Sequence, residues 1–385
     1  MRYQSYLNTA KIIIETYTGA EPLSGYLKKF FATDKKYGSR DRKQISTLCY
    51  HYYRLGKAAK GIPVDERILI ATFLCEQTHS DFLHFHKPDW NDKITATIPE
   101  KLLIINYSLL ITDIFPWSTE LSNGIDHEQF AGSFLHQPDL FLRIRPGKKD
   151  IVVKKLEAAG FSFTMVNEDC IALPNSSKID AILEIDNEVV IQDASSQQVL
   201  DFLRSGKHHP ISAWDCCAAS GGKSILLQDI LKGNVDLTVS DIRESILANL
   251  KKRFSAAGIK NFNPVIADLT LPNFQLQTSN FQLIICDAPC TGSGTWSRTP
   301  EQLYYFKSAT ISAFSEQQKK IVAGAIPHLQ KGGLFFYITC SVFKKENEAI
   351  AEYIKEKFQL QLVQLELIKG YDKKADSMFV AVFLK

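Results

Sequence analysis

Eight cysteines occur in the 385 residues, at 49, 75, 170, 216, 217, 286, 290 and 340, and five of them fall between 216 and 340. None forms a C-x-x-C pair, so no zinc site is expected and no metal is assigned. Two of the thiols stand in distinctive contexts, Asp287-Ala288-Pro289-Cys290 and Thr339-Cys340-Ser341. A thiolate is the most nucleophilic side chain near neutral pH, once its surroundings lower an ordinary pKa of about 8.5. Taken singly, each cysteine reads equally well as a small buried hydrophobe. Acids accompany them: Asp241, Asp268 and Asp287 each close an apolar stretch. Upstream lies a glycine turn, Cys216-Cys217-Ala218-Ala219-Ser220-Gly221-Gly222-Lys223-Ser224. A single acid in such a place is more often a helix cap. Three in succession after a glycine turn describe a nucleoside-type cofactor lying across strand ends. The phosphate-loop and dinucleotide spacings are absent, which favours S-adenosylmethionine.

The elements that must carry these groups alternate from residue 211 onward. Strands are expected at 211–217, 237–241, 262–268, 281–289 and 334–340, with helices from 222 to 230, to about 257, at 311–329 and at 344–358. Continuously apolar strands alternating with helices predict a parallel sheet covered on both faces, with ligands at the carboxyl ends of the strands. The fold class is therefore α/β over 201–385. Residues 133–200 read as a small α+β connector: strands at 161–166, 170–174 and 188–193, a helix at 149–159, and FLRIRP at 141–146 as an exposed strand. Residues 1–132 read as helical. Ile45, Leu48, Tyr52 and Leu55 fall at spacings of three and four, the signature of an amphipathic helix.

Composition is that of a globular protein, with 45% hydrophobic and 23% charged residues. No run of about 18 apolar residues is present, so no membrane span is expected. The N-terminus lacks the basic-then-apolar order of a signal peptide, and the cytoplasm is the expected location. A formal charge of +3 does not by itself imply nucleic acid. Its distribution says more, because residues 28–43 hold seven cations against two acids. Lys35, Lys36, Arg40 and Lys43 belong to this patch, which is dense enough to neutralise phosphates or else is a solvated helix face.

CCAASGGK, DAPCTGSGTWSRTPE and YITCSVFKKENE together resemble the motifs of RNA cytosine carbon-5 methyltransferases, and QDASSQ at 192–197 is similar to that family's signature ahead of its catalytic domain. The resemblance runs from about 140 to 385. It is nearest to the bacterial ribosomal RNA small-subunit methyltransferase B type, in which a helical NusB-like RNA-binding domain precedes the catalytic part; GSRDRKQISTLCYHYYRLGK at 38–57 resembles a helix of that domain more weakly. The resemblance implies a Rossmann-like S-adenosylmethionine-dependent methyltransferase domain and a covalent mechanism. Cys340 adds to carbon 6 of cytosine, Cys290 assists product release, and Asp287, oriented by Lys223, hydrogen-bonds the base. Backbone amides of Cys217, Ala218, Ala219, Ser220, Gly221, Gly222 and Lys223 would hold the cofactor, with Asp241 on the ribose and Asp268 near the adenine. Ribosomal RNA is the implied partner, a monomer the implied state, and Arg143, Arg145 and Arg298 are further candidate phosphate contacts. Three departures stand out. Ser220 replaces the usual Pro, implying a less rigid loop. A single basic residue, Arg298, stands where two are common, and DSMFVAVF at 376–383 replaces a glycine-rich strand. A transfer RNA substrate and a non-catalytic ribosome-assembly role remain open.

Overall fold

The computed structural model describes residues 2–385 except 35, 106, 206–210, 272–273, 275 and 277–279. The chain divides into two compact units. One comprises residues 1–119, 126–137 and 295–307; the other comprises 120–125, 138–294 and 308–385. The connector expected at 133–200 thus falls almost wholly within the second unit. The segment 295–307, expected in the catalytic part, belongs to the first.

The first unit is helical, led by Arg2–Thr16, Leu23–Thr33, Ser39–Arg54 and Val64–Cys75. The spacing in Ser39–Arg54 buries Ile45, Leu48, Cys49, Tyr52 and Tyr53. Arg54, at the end of that helix, is also buried, and its guanidinium donates to the carbonyls of Phe134, His136 and Ser297 at 2.8, 2.8 and 3.1 Å. Buried charge of this kind is tolerable only where carbonyl oxygens replace the lost water.

The second unit holds two sheets. Strands β1 (Leu140–Ile144), β2 (Thr164–Met165), β3 (Cys170–Leu173) and β4 (Val189–Ile191) form an antiparallel sheet in the order β2-β3-β1-β4. Its own core includes Leu142, Ile144, Val152, Leu156, Ile171 and Val189. The strand expected to be exposed, β1, is internal and buried over 141–144. Its basic residues misled the pattern because they are paired rather than solvated. Arg143 donates to Gln192 Oε1 at 2.8 Å and pairs with Asp229.

The larger sheet contains β5 (Ile211–Asp215), β6 (Val235–Asp241), β7 (Asn263–Ile266), β8 (Phe281–Asp287), β9 (Leu329–Thr339), β10 (Gln361–Ile368) and β11 (Met378–Leu384), in the order β10-β11-β9-β8-β5-β6-β7. Pairing is parallel from β9 through β7 and antiparallel at β11 and β10. The order reverses at β5, with β6 on one side and β8 on the other, so a crevice opens above the carboxyl ends of these strands. Two expected helices are shorter than their apolar periodicity suggested. The one expected at 311–329 spans Ala309–Ala325, because Pro327 lacks the amide to continue it and β9 already begins at Leu329. The one expected from 344 starts at Glu348, because Glu346 and Asn347 bond sideways to the site instead.

Candidate active site

The turn after β5 is shaped by its glycines. Gly221 has φ +84°, and a Cβ there would lie 2.7 Å from Phe254 and 3.0 Å from Leu250, so glycine is required both conformationally and sterically. Ala219 is also left-handed, at φ 45°. Ser240 Oγ accepts from Trp214 Nε1 at 2.9 Å and donates to the Cys216 carbonyl at 3.0 Å, fixing the start of the turn to β6. Ser220, in place of the expected proline, is held another way. Arg253 donates to its carbonyl and hydroxyl, both at 3.0 Å, and is itself paired with Asp186 at 2.7 Å. The loop gains from a side chain the restraint it lacks from a ring.

Below this turn a cavity of about 400 Å³ gathers Cys216, Cys217, Ala219, Asp241, Asp268, Asp287, Cys290 and Cys340, with Ile242, Leu269 and Ile321 among its apolar walls. Ala218, Ser220, Gly221, Gly222 and Lys223 build the turn without lining the cavity. Asp241 accepts from the Arg243 amide at 2.9 Å and from its guanidinium at 3.2 Å. Asp268 accepts from the Thr270 amide and hydroxyl at 2.9 and 2.6 Å, and these bonds hold its carboxyl below the usual range.

Asp287 closes β8 and forms a 2.6 Å ion pair with Lys223 Nζ. Burial of Lys223 opposes its charge, but Asp287 outweighs it, and the ammonium is held above its ordinary pKa. Cys290 and Cys340 come together with their sulfurs 3.5 Å apart. The hydrogen bond to Cys340, reinforced by burial, pushes the Cys290 thiol well up. Either sulfur can be the donor of this pair. An S–H donor is what a neighbouring sulfur needs to carry negative charge.

Asp215, at the end of β5, accepts from Ser224 Oγ at 2.6 Å, and burial pushes it up to about 7.

Among the expected RNA contacts, Lys36, Arg40 and Lys43 are exposed in the first unit, Lys36 pairing with Asp34 at 2.7 Å. Lys35 lies outside the described residues. Arg143 and Arg145 are corrected: both guanidinia face Asp229, and Arg145 also donates to the carbonyls of Asp186 and Ala257 at 2.5 and 3.2 Å. Their donors brace the small sheet against the helix Gly222–Ile230 rather than facing solvent. Arg298 is half-buried in the 295–307 segment of the first unit and does not line the cavity.

Residues 205–382 match the family described as 16S rRNA methyltransferase RsmB/F. Over these residues, rather less than half of its length, the chain is similar to the RsmB/F methyltransferases. The probable ribosomal RNA small subunit methyltransferase B of Bacillus subtilis (strain 168) is 28% identical over 234 residues, covering 60% of this chain and 52% of that protein. This chain thus spans about half the length of the curated relatives it matches. The fold is shared with a methyltransferase homolog protein from Pyrococcus horikoshii (TM-score 0.59, 22% identity, 74% of this chain and 98% of that one). It is also shared with NSun6 from Pyrococcus horikoshii with SFG (TM-score 0.59, 13% identity, 67% and 94%).

The matched region also contains groups whose roles were not read from sequence. Glu346, fully buried, accepts from the Thr291 amide at 2.8 Å and its hydroxyl at 2.6 Å, and from Ser341 Oγ. Thr291 follows Cys290 and Ser341 follows Cys340, so one carboxylate clamps both cysteine loops. Asn347 accepts from Thr339 at 2.5 Å and donates to the Ser341 carbonyl at 2.8 Å. Gln318 donates to the Pro289 carbonyl at 2.9 Å. Gly294 passes between strands, where a Cβ would lie 2.2 Å from the Ser377 carbonyl oxygen. The signal for Glu346 and Asn347 was present as the ENE trailing TCS, but nothing in the spacing said that the first two of these residues turn back onto both cysteines.

Proposed function

We propose that this protein is an S-adenosylmethionine-dependent RNA cytosine-5 methyltransferase acting on ribosomal RNA. The observation that carries the reading is the Cys290–Cys340 pair, 3.5 Å apart at a cavity that Asp287, ion-paired with Lys223, also lines. Carbon 5 of cytosine is a weak nucleophile. The Cys340 sulfur forms a bond to carbon 6, and the ring's electrons move to carbon 5 and nitrogen 3. Asp287 accepts from the amino group and, fixed by Lys223, holds the base as charge develops. After carbon 5 has become tetrahedral, Cys290 in its thiolate form takes the carbon-5 proton, the double bond re-forms and the Cys340–carbon 6 bond breaks. The resting Cys290 thiol gives its proton to solvent before it takes the carbon-5 proton, and the Cys340 sulfur leaves as a thiolate. To reach the sulfur, the target base must leave its stack.

The cavity suits the cofactor. Asp241 and Asp268 line it together with the apolar Ile242, Leu269 and Ile321, the chemistry an adenosine needs, and in this reading Asp241 would accept from the ribose hydroxyls and Asp268 would lie near the adenine. When bound, S-adenosylmethionine supplies an electrophilic methyl group. SFG, the ligand of the NSun6 structure, is an analogue of that cofactor and supports the assignment. Similarity over residues 205–382 to a family described as 16S rRNA methyltransferases supports the substrate. The test is bisulfite sequencing of ribosomal and transfer RNA from cells with and without the gene. One ribosomal cytosine should lose its protection when the gene is deleted. Loss confined to transfer RNA would redirect the substrate, and no change in either would end the proposal.

A further inference from the structure

Beneath the cofactor turn lies a second group of thiols that this mechanism does not use. Cys216 and Cys217 follow β5, Cys286 is the penultimate residue of β8, and their sulfurs all lie within 4.8 Å of one another. Adjacent strands bring them together, the Cys216 amide donating to the Ile285 carbonyl at 2.9 Å. Cys216 and Cys286 are sealed in the core, whereas Cys217 is part-buried, and both Cys216 and Cys217 border the 400 Å³ cavity. That border is a path by which an ion could enter.

We propose that Cys216, Cys217 and Cys286 form a binding site for a thiophilic d¹⁰ cation of the zinc class. Sulfurs around a tetrahedral Zn²⁺ with Zn–S near 2.3 Å are about 3.8 Å apart, so the cluster closes on an ion by a contraction of at most about an ångström. Thiolate ligands select soft ions over Mg²⁺ or Ca²⁺. Three protein ligands with the remaining position toward a cavity is the open coordination pattern rather than the closed structural one. On binding, the three thiols release their protons to solvent and no group changes oxidation state. Contiguous motifs could not reveal this site, because one ligand comes from a neighbouring strand about 70 residues away. The inference stands independently of the RNA reaction.

The test is titration of the whole protein, reduced and metal-free, with Zn²⁺ against a chromophoric chelator, and with Cd²⁺ for its sulfur-to-metal charge-transfer absorption. One ion per chain is expected, with close to three thiolate bonds and close to three protons released. Cys290→Ala/Cys340→Ala should bind as tightly as wild type, and Cys286→Ser at least tenfold more weakly. If Cys286→Ser does not fold, the thiolate and proton counts of the Cys290→Ala/Cys340→Ala protein decide: three of each supports the site and two or fewer overturns it. Absence of binding by wild type, or binding lost in the Cys290→Ala/Cys340→Ala protein, also overturns it.

Discussion

Cys290 and Cys340 sit 3.5 Å apart, yet their environments differ, and the proposed chemistry divides along that difference. The bond to Cys340 and burial hold the Cys290 thiol above its ordinary pKa, and the proposed chemistry gives the attack to Cys340. Cys340→Ala should give neither product nor adduct with RNA and labelled S-adenosylmethionine. Cys290→Ala should permit attack but block elimination, leaving a protein–RNA band that survives denaturing electrophoresis; turnover by Cys340→Ala would reverse the roles. Asp215 supplies a second residue-level expectation. Burial raises its folded pKa from 3.8 to about 7, so between those values the folded state binds more protons than the unfolded one. Its contribution is therefore lost as pH rises through that window, not gained. Asp215→Asn should lack this slope. Denaturation midpoints at pH 5 and pH 8 should shift in favour of the Asn variant by an amount on the order of a few kcal/mol, and parallel midpoints would exclude it. The cysteines and acids were legible from sequence because motif spacing survives as geometry at adjacent strand ends. Glu346 was not, because its partners Thr291 and Ser341 lie on two loops whose meeting depends on β8 pairing with β9.

At the level of elements, alternation from 211 onward announced the parallel sheet, and the periodicity of Ser39–Arg54 announced its helix. Charge was the weaker guide, since a basic residue reads the same whether it faces phosphate or a buried acid. Arg143 shows the second case and the exposed face of Lys36, Arg40 and Lys43 has the character of the first. The two should separate under mutation. Replacing Lys36, Arg40 and Lys43 with Gln should weaken RNA binding and lower the dependence of log affinity on log salt by roughly 0.7–0.9 for each phosphate no longer neutralised, with unchanged thermal unfolding. Lys36 should contribute least, being paired with Asp34. Arg143→Ala leaves Asp229 with Arg145 alone and takes the donor from Gln192 Oε1 in the interior, and should cost stability by about 1–3 kcal/mol. Binding titrations from 50 to 200 mM salt on the surface variant check the first expectation; an unchanged slope would make that face merely solvated.

At the scale of the whole molecule, the division drawn from sequence at 132 and 200 does not follow the packing. DAPCTGSGTWSRTPE read as one catalytic motif, but after Gly294 the chain belongs to the helical unit. Periodicity and composition identify Trp296, Leu303, Tyr304 and Tyr305 as apolar without saying which core they enter. Trp296 and Leu303 are buried, the Tyr304 and Tyr305 rings lie 5.3 and 6.1 Å from Tyr53, and Glu301 accepts from the Leu23 amide at 3.1 Å. Lys57 donates to the carbonyls of Tyr304 and Phe306 at 2.6 and 2.8 Å, and Arg54 reaches Ser297. The first unit is therefore incomplete in any fragment that stops near residue 137. Removing 295–307 strips out one buried tryptophan and one buried leucine, worth about 3–5 and about 2–5 kcal/mol in a core, and leaves Arg54 and Lys57 short of acceptors. That loss is comparable to the whole stability of a typical domain of this size. A fragment of residues 1–137 should accordingly keep helical circular dichroism but lack a cooperative thermal transition. Joining 295–307 to its C-terminus through a flexible Gly/Ser linker should restore the transition. A sharp melt in the unaided fragment would mean that the helices close their core without the segment.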